Sequence, residues 1–167
     1  MNKERNPRAL PKGVNRVAII ACDVLRNHAA ELEKLYPDIE VRWGDISRGA
    51  AYGRASKCER FIRMQAPSIR SADDYATLVH EYGHILGPWQ RGGGGHYSKP
   101  RSGRMIEECG AWVWAMENAV AWTPKMDRHV QRHLGWLAER AEHKVRRGNT
   151  RIIPPSSHVY WKLAARG

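Results

Sequence analysis

The sequence predicts an α+β fold in which a small antiparallel sheet packs on two helices. One helix carries a His-Glu-x-x-His pattern and the other a pair of glutamates. Three features point there. Between residues 39 and 64, short runs alternate apolar and polar side chains and are bounded by glycine or proline, the mark of half-buried strands. Residues 71–87 and 105–122 carry apolar side chains three and four positions apart, the helical spacing. The composition, 42% hydrophobic with seven Trp, is that of a folded chain, and 167 residues suffice for one domain that buries about 70% of its unfolded surface.

In chain order, residues 1–13 are polar and basic and are expected to form a flexible arm ahead of a single domain over 14–167. The arm lacks the apolar stretch of a secretory signal. Val17, Ala21, Val24, Leu25, His28, Leu32 and Leu35 predict one long amphipathic helix ending near Pro37; a strand over 17–21 followed by a shorter helix is the alternative. Residues 39–43 alternate as a strand, 44–49 make a turn, 50–55 form a second strand weakened by Gly53, and 60–64 form a third ahead of Pro67. The edge of such a sheet can bind an extended peptide by strand addition.

Ser71 with Asp74 three residues on reads as a capping box opening the next helix. Tyr75, Leu78, Val79, Tyr82, Ile85 and Leu86 form its buried stripe, and Gly87-Pro88 stops it. Residues 88–103 are a loop with four consecutive glycines, Gly92 to Gly95, which reads as a mobile flap or a solvent loop and has no phosphate-cradle spacing. Residues 105–122 form a second strong helix ended by Pro124, and 127–147 a third closed by Gly148. The tail, 152–155 and 159–163, is expected to add an edge strand or pack on the core. No run of 18 apolar residues exists, so no membrane span is expected.

Within the capped helix the run is His80-Glu81-Tyr82-Gly83-His84. Positions four apart lie on one helical face, so His80 and His84 can aim two imidazoles at one point, as Zn²⁺ requires. Glu81, beside them, has the position of a general base toward activated water. Catalytic zinc takes three protein ligands. The candidates for the third are Gln90, His96, Glu107 and Glu108, and glutamine is a poor zinc ligand. Glu108 is favoured because Ala111 and Ala115 share its stripe and let two helices approach closely; His96 and Glu107 stay open. The second acid of the pair could instead orient a ligand histidine through its other ring nitrogen. His96 and Tyr97 on the flap are candidates to stabilise an oxyanion. His129 and His133 are also four apart but have no adjoining glutamate, and they read as surface residues.

These motifs resemble the compact gluzincins. HEYGH followed by Glu108-Cys109-Gly110-Ala111-Trp112-Val113-Trp114-Ala115 is similar to the ImmA/IrrE-type metallopeptidases, whose second helix reads E-x-x-A-x-x-F-A, with Trp114 in place of Phe. The tyrosine-bearing start Asp74-Tyr75-Ala76-Thr77-Leu78 and the run Glu107-Glu108-Cys109-Gly110-Ala111 resemble the metallopeptidase domain of ArdC-type antirestriction proteins. The likeness spans residues 50–121, under half the chain. It implies a zincin-like minimal metallopeptidase fold, with His80, His84 and Glu108 as zinc ligands and Glu81 as base. It also implies a phage or other mobile element as source, and hence host-cell cytoplasm or a phage particle as location. Two departures stand out: no helix-turn-helix or single-stranded-DNA domain is visible, and the glycine insert and Trp-rich helix are unlike the usual pattern.

The net charge is +11, and from residue 125 onward ten basic residues face three acidic ones. Such a field attracts nucleic acid or acidic partners. Cys22, Cys58 and Cys109 form no CxxC pair and read as reduced thiols of a cytoplasmic protein. The expected function is therefore a zinc-dependent metallopeptidase acting on a protein or peptide, with no membrane association and no oligomeric state implied. The alternative is a basic nucleic-acid-associated protein, an antirestriction factor or phage-particle component, with a structural or vestigial zinc site.

Overall fold

A computed structural model describes residues 13–47, 52–87, 102–145 and 159–164, without the side chains of 102–106, 141–145 and 159–161. Along the chain these form α1 (Cys22–Leu35), β1 (Glu40–Arg42), β2 (Gly53–Ser56), β3 (Phe61–Met64), α2 (Ala72–Leu86), α3 (Ser102–Asn118), α4 (Pro124–Val145) and α5 (Val159–Ala164). The class is α+β.

The first helix is shorter than its periodicity predicts. The Val17 N–H donates to the Trp122 carbonyl at 3.0 Å, and the Trp122 N–H to the Asn15 carbonyl at 2.8 Å. Backbone paired in this way is extended and cannot join a helix, and Ala21, just before Cys22, is still extended at φ −74° and ψ 143°. The strand-then-helix alternative is the nearer one, with the extended part a single parallel bridge between Arg16 and Trp122. α1 buries Leu25, Ala29 and Leu32, and its His28 Nδ1 lies 2.8 Å from the Tyr75 hydroxyl of α2.

The sheet is mixed, which corrects the all-antiparallel expectation. Its order is β1-β3-β2, with β1 parallel and β2 antiparallel to β3. A period of two sends alternate side chains to opposite faces whichever way the neighbour runs, so alternation could not reveal the direction. After β1 the chain crosses to the far edge before returning as a hairpin through Arg60, which takes φ 55° in the tight turn. The central strand presses Ile62 and Met64 into the core.

α2 starts where the sequence indicates. The Ser71 side chain accepts the Asp74 N–H at 3.2 Å, and Asp74 Oδ2 in turn accepts from the Ser71 hydroxyl and the Arg70 N–H. Asp73 and Asp74 also favour the positive end of the helix dipole. Residues 75–83 are all buried, because α1, the sheet, α3 and α4 surround this helix. α3 ends at Asn118, earlier than expected, since Trp122 is held in the bridge to Arg16. Pro124 does not close α3; it is the first residue of α4, where its missing N–H is harmless, and the Thr123 hydroxyl caps that helix by accepting the Met126 N–H at 3.3 Å. Residues 159–164 are helical rather than an edge strand, and Leu163 packs into the core. No helix among the described residues is long and apolar enough to cross a membrane.

Candidate metal centre

A close helix crossing builds the site. A Cβ added at Gly83 of α2 would lie 2.5 Å from the Ala111 carbonyl oxygen of α3, so only glycine permits this approach. The crossing falls between the two motif histidines and one turn beyond Glu108. It brings three ligand-type atoms together. His80 Nε2 and Glu108 Oε2 are 3.1 Å apart, His84 Nε2 and His80 Nε2 are 3.1 Å apart, and His84 Nε2 and Glu108 Oε2 are 3.2 Å apart. The edges of a tetrahedron built on Zn–N and Zn–O bonds of about 2.0–2.2 Å measure about 3.3–3.5 Å. The observed triangle is slightly tighter and can take one small ion with little adjustment. Among the described residues these three form the one cluster of metal-ligand type.

The electrostatics agree with the geometry. Burial, then the neighbouring His84, pull His80 down to about 3, against the Glu108 carboxylate. Burial also lowers His84, but the Glu108 and Glu107 carboxylates, with Glu81, outweigh it and hold His84 well above the usual imidazole range. Burial would raise Glu108, yet the two histidines hold it well below the usual carboxylate range. One buried and one partly buried imidazole thus crowd one buried carboxylate oxygen, a set of lone pairs and charge that a divalent cation would satisfy.

The two motif histidines are oriented differently. His84 Nδ1 faces Glu107 Oε1 at 3.7 Å, an ion-pair distance longer than a hydrogen bond. His80 stacks on the Trp112 ring, with centroids 4.0 Å apart and planes at 27°, and its buried Nδ1 has no hydrogen-bond partner among the described residues. An indole face here does the orienting that a carboxylate or carbonyl usually does for a metal-bound histidine.

Glu81 is buried and turned toward β2. A Cβ on Gly53 would meet Glu81 Cγ and Oε1, and Thr77 Cγ2, all at 2.8 Å. The glycine that weakens the strand on propensity is what lets β2 pass over this carboxylate. Burial is the main cause that pushes Glu81 up to about 7; Glu108 adds to the rise, while His84 and Arg54 oppose it.

The reading of His129 and His133 as surface residues is corrected: His129 is buried and His133 is half-buried against the cluster. His129 is 8% exposed, and its Nε2 lies 3.0 Å from the Thr77 hydroxyl. His133 Nδ1 accepts the Trp112 indole N–H at 2.9 Å, and its Nε2 lies 3.9 Å from Glu108 Oε2. Their spacing of four signalled a shared face of α4, but which neighbour that face meets is set by tertiary packing. Gln90, His96 and Tyr97 lie outside the described residues. Of the three cysteines, Cys109 is buried, with its thiol pushed up to about 12 by burial, and Cys58 is exposed. No known protein family, curated protein or solved structure matches the chain.

Proposed function

We propose that this chain is a zincin-like zinc metallopeptidase in which His80, His84 and Glu108 hold the ion and Glu81 is the general base. One observation carries the reading: the 3.1–3.2 Å triangle of ligand atoms from α2 and α3, with a buried carboxylate on the residue next to His80. Zinc held there supplies the Lewis acidity that activates water near neutral pH and polarises a scissile carbonyl. Glu81 takes the proton from the attacking water on a carboxylate oxygen and passes it to the leaving amine nitrogen. A carboxylate raised to about 7 suits both steps, since it can hold or release a proton at working pH. Glu107 beside His84, and Trp112 under His80, keep the two imidazoles turned toward Glu108. β2 is an edge strand in the order β1-β3-β2 and crosses Glu81 at Gly53, which favours an extended peptide laid along it.

The test is metal analysis of the purified full chain beside three variants. Wild type and Glu81→Gln are expected to carry stoichiometric zinc, whereas His80→Ala and Glu108→Ala lose it. On a casein or denatured-protein substrate, Glu81→Gln falls by about 10²- to 10⁴-fold in rate. Zinc retained in both ligand variants would refute the site, and wild-type cleavage by Glu81→Gln would refute the mechanism.

A further inference from the structure

α4 lays a third imidazole against the centre. The Trp112 indole N–H donates to His133 Nδ1 at 2.9 Å. An indole nitrogen is a donor only. The imidazole nitrogen that receives this bond therefore carries a lone pair, and in the neutral ring the proton resides on Nε2. That Nε2 faces Glu108 Oε2 at 3.9 Å, the same oxygen that lies against both His80 and His84. The ring stands edge-on to His80 with centroids 5.4 Å apart and runs near-parallel to the Trp136 ring at 6.4 Å and 20°. Its side chain is 29% exposed, so one part reaches solvent while Nε2 faces inward.

A nitrogen that bears a proton cannot ligate a metal. For His133 to become a fourth ligand, its proton would have to move to Nδ1, where the Trp112 N–H already points, leaving two donors face to face. A fourth protein ligand would also close the centre, as in structural zinc sites, whereas three leave it open. Trp112 therefore touches the centre twice: its ring face carries His80, and its N–H selects the tautomer of His133.

We propose that His133 is an anion-binding residue of the metal centre, held by Trp112 as an Nε2–H donor and kept out of the ligand set, and that it receives an oxygen of a carboxylate-, hydroxamate- or phosphonate-type ligand bound there. Trp112 is the positioning residue. This rests on the zinc reading given above, and the experiment separates the two.

Two measurements on the full chain test it. In zinc-free wild type at about pH 8, above the ordinary imidazole range, ring ¹⁵N correlation spectra are expected to show His133 as the Nε2–H tautomer. An Nδ1–H ring would overturn the proposal without any variant. Then cobalt- or zinc-loaded protein is titrated with acetohydroxamate. His133→Phe is expected to keep the cobalt absorption spectrum and the zinc affinity of wild type. It should weaken acetohydroxamate by about ten- to a hundredfold, the worth of a hydrogen bond to a charged group. His133→Gln, which restores an N–H donor, should recover part of that loss. Far-ultraviolet circular dichroism and a thermal melt report folding independently of the metal, and if His133→Phe fails to fold, His133→Leu, which also lacks a donor, carries the comparison with His133→Gln. Unchanged acetohydroxamate binding in the folded donor-free variant overturns the proposal alone. A changed cobalt spectrum with lowered zinc affinity in a folded variant makes His133 a ligand and overturns it too. Failure of wild type to bind zinc overturns the metal centre itself, and this proposal with it.

Discussion

Gly83→Ala opposes two effects of known size. In an exposed helix interior, glycine to alanine stabilises by about 1 kcal/mol, because alanine loses less backbone entropy on folding. At Gly83 the new Cβ would stand 2.5 Å from the Ala111 carbonyl oxygen, 3.0 Å from its Cα and 3.1 Å from its carbonyl carbon. The nearest contact falls roughly 0.9 Å short of van der Waals distance, and all three atoms are backbone, so no side chain can swing aside. α3 must shift or tilt, and overpacking of that kind costs about 1–3 kcal/mol. The net is a loss of about 0–2 kcal/mol where propensity alone gives a gain. The larger effect falls on the centre. Glu108 is one turn from Ala111 on the moving helix, so its Oε2 is drawn off the His80–His84 pair and the 3.1–3.2 Å edges widen. Zinc affinity is expected to drop by about 10–100-fold, the scale found when groups supporting a metal ligand are disturbed. The assay is a zinc titration against a competing chelator, with thermal melts of the zinc-free protein alongside. A variant that melts higher and binds zinc as wild type does would refute the claim that this crossing assembles the site.

Three further outcomes are expected. Gly53→Ala drives a Cβ into Glu81 Cγ and Thr77 Cγ2 rather than into a ligand. It should leave zinc affinity unchanged and lower peptide cleavage by about 10²-fold, as a displacement near 1 Å of a reacting group can; equal loss of zinc would contradict this division between base and ligands. On the proposed mechanism Glu81 acts as its carboxylate. In the zinc-free protein burial raises its titration to about 7, and a divalent cation beside it would lower that. Infrared titration of the carboxyl should therefore find it near 7 without zinc and lower with zinc, with cleavage falling as pH drops through the zinc-loaded value; a carboxyl that zinc leaves unmoved would contradict a cation at the site. The formal charge of +11 predicts DNA binding at low salt that weakens steeply as salt rises and is indifferent to Glu81→Gln. Gel-shift titrations over a salt series read this, and no binding at low salt removes the nucleic-acid reading.

Local signals in the sequence located the secondary elements well, and the errors share one cause. The Ser71–Asp74 cap and the stripe from Tyr75 to Leu86 are interactions within one turn or one face, so spacing alone exposes them, and α2 spans Ala72–Leu86. The start of α1 and the end of α3 were misplaced because both depend on one long-range pairing. Backbone groups of Asn15 and Val17 bond to Trp122, more than a hundred residues away, and nothing in the local pattern of either segment announces the other. Pro124 was equally ambiguous on local grounds. Proline both ends a helix and opens one, and Thr123 before it, whose hydroxyl accepts the Met126 N–H, decides for opening.

The site divides the same way. His80, Glu81 and His84 were legible because a single helix sets their relation. Glu108 was legible more weakly, through the small residue Ala111 one turn on, which implied a close neighbour without identifying Gly83 as that neighbour. His133 was misread because its defining contacts belong to other helices: Trp112 and Glu108 on α3, His80 on α2. Judged by its own neighbours in sequence it is one more polar residue on a basic helix. Yet Trp112 lies four residues after Glu108, on the same face of α3, so any helix that covers the Glu108 face must also meet an indole N–H in need of an acceptor. His133 Nδ1 is that acceptor. The same demand that a buried donor be satisfied brings the third imidazole to the cluster and leaves its proton on the nitrogen that faces Glu108 Oε2.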